Sequence, residues 1–292
     1  MALTPSVALS GVLCADQWVT DPAEEILLIQ QAGFTRIEIP FWRIAGNVYP
    51  GGYTLAAVVG FAKGLGLSVD LVPHNDGASA ASYQYEPITS PTTFLAWLTG
   101  VLTGVVLGPN DSVSWWNEIS PQNSGDWSPL SALYGGLGNK IHQLVKSLGA
   151  KSVAPVPMSQ TPEDARQFLD GMLNPQDILS PDAWNVHLYK DDLTSSDINF
   201  TTLQGQFNAI AALIEVTEKP VIIGEAGGGI VPISPTAGST PLPLVMDSAF
   251  IAQSVALAKT LNIQTFTGWQ WIDNGDHLRV KGWPAVISAL LS

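Results

Sequence analysis

Eight times along this chain a short apolar run rich in β-favouring residues gives way to a longer stretch with helical spacing. The strand-like runs fall at residues 7–13, 36–40, 68–73, 112–116, 152–156, 183–187, 221–224 and 265–271. Helical patterns follow near 22–31, 55–64, 91–107, 130–148, 162–173, 202–216, 244–260 and 284–291. Repeated βα units imply a mostly parallel sheet covered by helices. Eight of them in 292 residues match the length of a closed α/β barrel, the (β/α)8 or TIM fold. Pro22, Pro162 and Pro284 fall at first-turn positions, where a missing N–H costs nothing. No Pro/Ser-rich linker interrupts the pattern, so one domain is expected over residues 1–292.

The connections are of two unequal kinds. Helix-to-strand links are tight, as at residues 31–34, 64–67, 147–150 and 218–220. Strand-to-helix links are long, as at 75–90, 118–129, 188–200, 226–243 and 272–282. In such a barrel the long set decorates the C-terminal face, where active sites are built. Two carboxylates stand at the start of long loops: Glu118, after Val113-Ser114-Trp115-Trp116-Asn117, and Glu225, after Val221-Ile222-Ile223-Gly224. Buried Glu is rare unless it is paired or used, so two of them ending apolar runs at one end of a barrel point to chemistry. A pair of carboxyl groups across a pocket is the equipment of glycoside hydrolysis, one donating a proton while the other attacks or activates water.

Composition narrows the partners. Twelve Lys plus Arg against 25 Asp plus Glu give a net charge of −13, which speaks against nucleic acid and against an anionic membrane surface. A neutral ligand such as a carbohydrate suits an acidic chain with no basic patch. Hydrophobic residues at 46% and charged residues at 13% exclude a disordered chain. Ten Trp are a heavy load, and Trp115, Trp116, Trp127, Trp269 and Trp271 fall near the expected working face. Aromatic rings there would stack on the apolar faces of sugars.

Cys14, the one cysteine, allows no intrachain disulfide and reads as a small buried residue. The first residues lack the pattern of a signal peptide. The apolar run 94–107 is too short to span a bilayer and reads as a core-facing helix. Asp70, His74, His187 and His277 lack the close spacing of a metal-ligand set, and Gly227-Gly228-Gly229 lacks the context of a phosphate loop. No metal and no cofactor are expected, and a monomer is.

The ordered strand ends resemble those of the clan A glycoside hydrolases, retaining (β/α)8 enzymes, most nearly families five and thirty-nine. In that clan the fourth strand ends in Asn-Glu, here Asn117-Glu118, and the seventh in a nucleophilic Glu, here Glu225. The stretch from Gly33 to Pro40 resembles the second strand, and the resemblance implies that Arg36 keeps the nucleophile ionised. Val186-His187-Leu188-Tyr189 resembles the sixth strand, whose Tyr hydrogen-bonds the nucleophile. Gly268-Trp269-Gln270-Trp271 resembles the eighth, whose Trp floors the sugar site. His74 matches a third-strand His. The implied activity is retaining cleavage of a neutral, β-linked oligo- or polysaccharide, with Glu225 as nucleophile and Glu118 as acid/base. Asn117, Arg36, His187, Tyr189, Trp271, Trp269, His74 and Trp116 would bind substrate.

Two departures stand out. Ile119 replaces the Pro found in many family-five members, and Glu38 adds a carboxylate on the same strand face as Arg36. A carbohydrate-binding barrel without catalysis is the alternative, since fold does not fix activity.

Overall fold

The computed structural model describes residues 2–9, 21–42, 48–74, 90–117, 133–156, 181–189, 202–227, 247–268, 271, 280–281 and 284–292. In chain order it begins with strand β1 (Thr4–Val7), helix α1 (Pro22–Gln31) and strand β2 (Arg36–Trp42). A small antiparallel hairpin, β3 (Val48–Tyr49) and β4 (Tyr53–Thr54), leads into α2 (Leu55–Gly64) and β5 (Ser68–His74). Next come α3 (Pro91–Leu102), β6 (Ser112–Ser114), a π-helical turn (Tyr134–Gly138) running into α4 (Asn139–Ser147), and β7 (Lys151–Pro155). The chain ends with β8 (Ala183–Tyr189), α5 (Leu203–Thr217), β9 (Val221–Gly227), α6 (Ser248–Thr260), β10 (Thr265–Gly268) and α7 (Pro284–Leu291).

Eight strands form one parallel sheet in the order β1-β10-β9-β8-β7-β6-β5-β2. A parallel bridge between Ala8 and Glu38, with Leu9 N–H donating to Glu38 O at 2.9 Å, joins its two ends. The result is the expected (β/α)8 barrel. Local chemistry explains the helix starts. Asp21 accepts the Ala23 N–H at 2.9 Å ahead of Pro22, and Thr54, Thr202 and Asp247 cap α2, α5 and α6 in the same way. The tight returns to strands turn at Gly33, Gly66 and Gly149, all at positive φ.

Several expected boundaries moved. The first strand begins at Thr4 rather than residue 7, because Thr4-Pro5-Ser6 turns small and polar side chains inward and shows no apolar signal. The helix expected to reach residue 107 ends at Leu102: Thr103 is extended, Gly104 has φ 84°, and Val106 is 78% exposed. The start of the helix expected from residue 130 lies outside the described residues, and from Leu133 onward the chain is helical, through the π-helical turn at Tyr134–Gly138. The helix expected at 162–173 and Cys14 lie outside the described residues.

Strand alternation divides the core in two. Outward side chains such as Ile37, Ile39, Leu71, Val113, Trp184, Val186 and Phe266 join the helices in one continuous apolar cluster. Each such residue contributes about 1.5–3 kcal/mol by leaving water. Inward, a separate small cluster of Val153, Ala183 and Ile222 shares the lumen with Ser6, Glu38, Asp70, Ser112, Asn185, His187 and Thr265, all buried. Barrels of this kind usually fill the lumen with bulky branched residues. The polarity of this one needs a reason, and the upper lumen supplies it.

Candidate active site

β8 and β9 build the best-defined part of the site. On β8 alternate residues Ala183, Asn185, His187 and Tyr189 face the lumen, while Trp184, Val186 and Leu188 pack outward. On β9 Ile222 faces inward, so a regular strand would turn Glu225 outward into the helix layer. An extra residue prevents this. Val186 and His187 are neighbours on β8 but pair with Ile223 and Glu225, and Phe266 and Gly268 pair with Ile223 and Ala226. The bulge reverses the side-chain phase above Gly224. Glu225 therefore enters the lumen, where the Tyr189 hydroxyl donates to its Oε2 at 2.5 Å and His187 Nδ1 lies 3.2 Å from the same oxygen.

Glycine is required at the bulge. The Gly224 N–H donates to Asn185 Oδ1 at 2.9 Å. A Cβ on residue 224 would overlap Asn185 Oδ1 and approach its Nδ2 to 2.6 Å. Asn185 thus positions the backbone that aims Glu225, a role not anticipated from sequence. An Asn within an otherwise apolar, buried run was the available signal.

A second irregularity ends β6. Trp115 N–H donates to Val153 O on β7, whereas Asn117 N–H donates to Pro73 O on β5. Residues two apart on a regular strand donate to the same neighbour. The phase therefore breaks between them, and Asn117, 7% exposed, lies at the upper end of the barrel as the strand stops. Glu118 and Trp269, and the side chain of His74, lie outside the described residues.

Facing Glu225 across the lumen is Glu38, 2% exposed, with Oε1 buried and lacking a hydrogen-bond partner among the described residues. Burial first, then the charges of Glu225 and Asp70, raise its pKa well above the ordinary carboxyl value.

Three expected substrate contacts are placed elsewhere. Arg36 is the first residue of β2 and sits at the N-terminal end of the barrel. Its Nε is 3.2 Å from Asp70 Oδ2, and both terminal nitrogens donate to Asn110 O at 2.7 and 2.6 Å. It lines a cavity of about 380 Å³ with Thr4, Ser68, Lys151 and Thr265, each the first residue of its strand. The resemblance matched Arg36 to a residue beside the nucleophile, but at the first position of β2 it faces the lumen from the opposite end and is held by Asp70 and the Asn110 carbonyl. Burial holds the Asp70 carboxyl above its usual value even though Arg36 and the Ser112 hydroxyl pull it down.

Trp271 turns outward rather than flooring a sugar site. Its Nε1–H donates to Glu25 Oε2 of α1 at 2.9 Å, and its ring meets Phe34 edge-on at 6.3 Å. Lys281 Nζ binds Glu25 Oε1 at 2.7 Å. A buried indole needs an acceptor, and Glu25 supplies it in the helix layer. Trp116 is 3% exposed and packs edge-on against Tyr134 at 5.3 Å beside Trp115, so it is a core residue.

Among the described residues no group of three His, Cys, Asp or Glu side chains could hold a metal ion, and no helix is long and apolar enough to cross a membrane.

The fold is shared with solved structures. Cellulose synthase subunit Z of Clostridioides difficile superposes with a TM-score of 0.67 at 14% identity, over 100% of both chains. An endoglucanase of Thermotoga maritima gives 0.67 at 15%, covering 98% of this chain and 96% of that one. A glycoside hydrolase family 5 enzyme of Prevotella bryantii gives 0.65 at 17%, covering 99% and 94%. No family model matches the sequence, and no curated protein does.

Proposed function

We propose that this chain is a retaining glycoside hydrolase acting on a neutral, β-linked glycan, with residues 1–292 working as one monomeric catalytic domain. The observation that carries the reading is Glu225: a bulge lifts it into the lumen of a (β/α)8 barrel, and Tyr189 and His187 converge on one of its oxygens. A carboxylate held this way by one oxygen can present the other to an anomeric carbon. The barrel's likeness to glucan-cleaving enzymes, among them a broad-specificity endoglucanase of Bacteroides salanitronis, supports the substrate class.

In this reading Glu225 attacks the anomeric carbon while Glu118 protonates the departing oxygen. Glu118 then deprotonates the water that releases the sugar. Asn117, at the end of β6, would hold a hydroxyl next to the reacting carbon. Tyr189, donating to Glu225 Oε2, favours the carboxylate form through the hydrogen bond itself.

A screen of aryl β-glycosides with wild type, Glu118→Ala and Glu225→Ala tests the roles. Glu118→Ala should keep turnover of activated aryl glycosides, and azide should accelerate it with retained configuration. Glu225→Ala should be inactive on both substrate kinds, and azide should then give product of inverted configuration. Binding of β-glycans without turnover by wild type at any pH would favour the carbohydrate-binding alternative.

A further inference from the structure

Among the described residues the lumen holds two carboxyl groups that the proposed reaction does not use, Glu38 and Asp70, and only Asp70 has a cation beside it. Glu38 points inward from the third position of β2, at the bridge to Ala8 that joins the sheet ends. Its register partner on β5 is Asp70, which is committed to Arg36 at 3.2 Å and to the Ser112 hydroxyl. Arg36 is in turn spent on Asp70 and the Asn110 carbonyl, so the nearest cation on its own strand does not neutralise Glu38. From β9 Glu225 faces it, and from β8 His187 and Tyr189 engage Glu225. Ser6, on β1, is buried and its hydroxyl has no partner, so it gives Glu38 no hydrogen bond. Pro40 follows Glu38 on the same strand face, toward the C-terminal end of the barrel.

An unpartnered buried carboxylate next to a second carboxylate is among the least favourable arrangements a protein can hold, and the usual relief is a proton. Two carboxyl groups compete for that proton, and their surroundings are unequal. Glu225 accepts from a tyrosine hydroxyl, which rewards charge; Oε1 of Glu38 accepts from nothing. We infer that Glu38 is a positioning residue that holds a proton at neutral pH and presents an uncharged group to Glu225, so that of these two carboxyl groups Glu225 alone carries charge. This rests on the proposed nucleophilic role of Glu225 for its function, though not for its chemistry.

Its consequences have a definite sign. A folded pKa raised by burial, Glu225 and Asp70 means stability that is fully present below the unfolded carboxyl pKa, about 4.3, and lost as pH rises toward the folded value. Glu38→Gln, isosteric and permanently neutral, should unfold at the same temperature as wild type near pH 4 and at progressively higher temperatures than wild type above it. Infrared difference spectra of the whole chain in D2O at pH 7 should show a protonated carboxylic acid C=O band in wild type that Glu38→Gln lacks. Should Glu38→Gln fail to fold, Glu38→Leu serves for the same comparison. On an aryl β-glycoside the acidic limb of kcat/KM should be the same in Glu38→Gln and wild type, because Glu38 is already neutral there.

Identical infrared spectra in the acid region, or an acidic limb displaced downward in Glu38→Gln, would show that Glu38 carries the charge and overturn the inference. The infrared and unfolding measurements use no substrate. An inactive wild type would sink the hydrolase reading while leaving the protonation of Glu38 decided.

Discussion

Replacing Gly224 by Ala isolates the device that aims Glu225. The added methyl would sit 2.6 Å from Asn185 Nδ2 and 2.7 Å from Cγ, and would overlap Oδ1, the atom that accepts the residue's own N–H. Something must move, and overpacking of this kind costs about 1–3 kcal/mol. If Asn185 yields, the buried Gly224 N–H loses its acceptor, for about 1–3 kcal/mol more. The two together come to about 2–6 kcal/mol, and at about 2 °C per kcal/mol for a chain of this size the midpoint should fall by at least about 4 °C. Turnover should fall further than stability explains, because the carboxylate loses its register against Tyr189 and His187. Thermal unfolding of Gly224→Ala, Asn185→Ala and the double variant forms a cycle. The double variant should recover at least about 1 kcal/mol of coupling, since the clash partner is gone. Additive losses, or a Gly224→Ala midpoint within about 1–2 °C of wild type, short of the fall of about 4 °C that the penalties require, would refute the close contact.

The remaining expectations are quickly stated. In a crystal structure the carboxyl groups of Glu118 and Glu225 should lie about 5–5.5 Å apart, and a spacing near 9 Å would point to inversion. Arg36→Gln strands the buried Asp70 and should cost about 3–5 kcal/mol in urea unfolding, with KM for an aryl glycoside unchanged in the folded fraction; a selective loss of kcat would return Arg36 to the site. Trp271→Phe removes the Nε1–H donor from buried Glu25 and should cost about 1–3 kcal/mol with sugar affinity unaltered, whereas weakened binding by titration would contradict its outward placement.

The barrel was legible because its signals are periodic: apolar runs, first-turn prolines and short glycine-bearing returns recur along the chain. Position within the barrel was not. The resemblance matches Arg36 to an Arg beside the nucleophile, but period-two alternation tells which face a side chain takes and nothing of its height, and Arg36 lies at the far end of the barrel. Trp271 failed for a related reason. A tryptophan near a strand end suits a sugar floor or a helix contact equally, and the decision lay with Glu25, 246 residues away in sequence. The bulge was half visible. Gly224 before Glu225 inside a strand is the signature of an irregularity, yet only register against β8 and β10 shows which way the phase turns.

The division between a continuous apolar layer outside the sheet and a polar lumen within it bears on how such a chain can change over time. Folding is driven where strands meet helices, by residues such as Ile39, Leu71 and Trp184. Lumen positions such as Ser6 and Thr267 contribute little to that drive. They are open to exchange, and a lineage can rewrite its chemistry there while its silhouette stays put. Outward positions need only remain apolar and of suitable volume. That tolerance explains how 14% identity keeps the same barrel over 100% of another chain. It also makes the lumen, more than the outer layer, the place where relatives of this protein should differ in what they do.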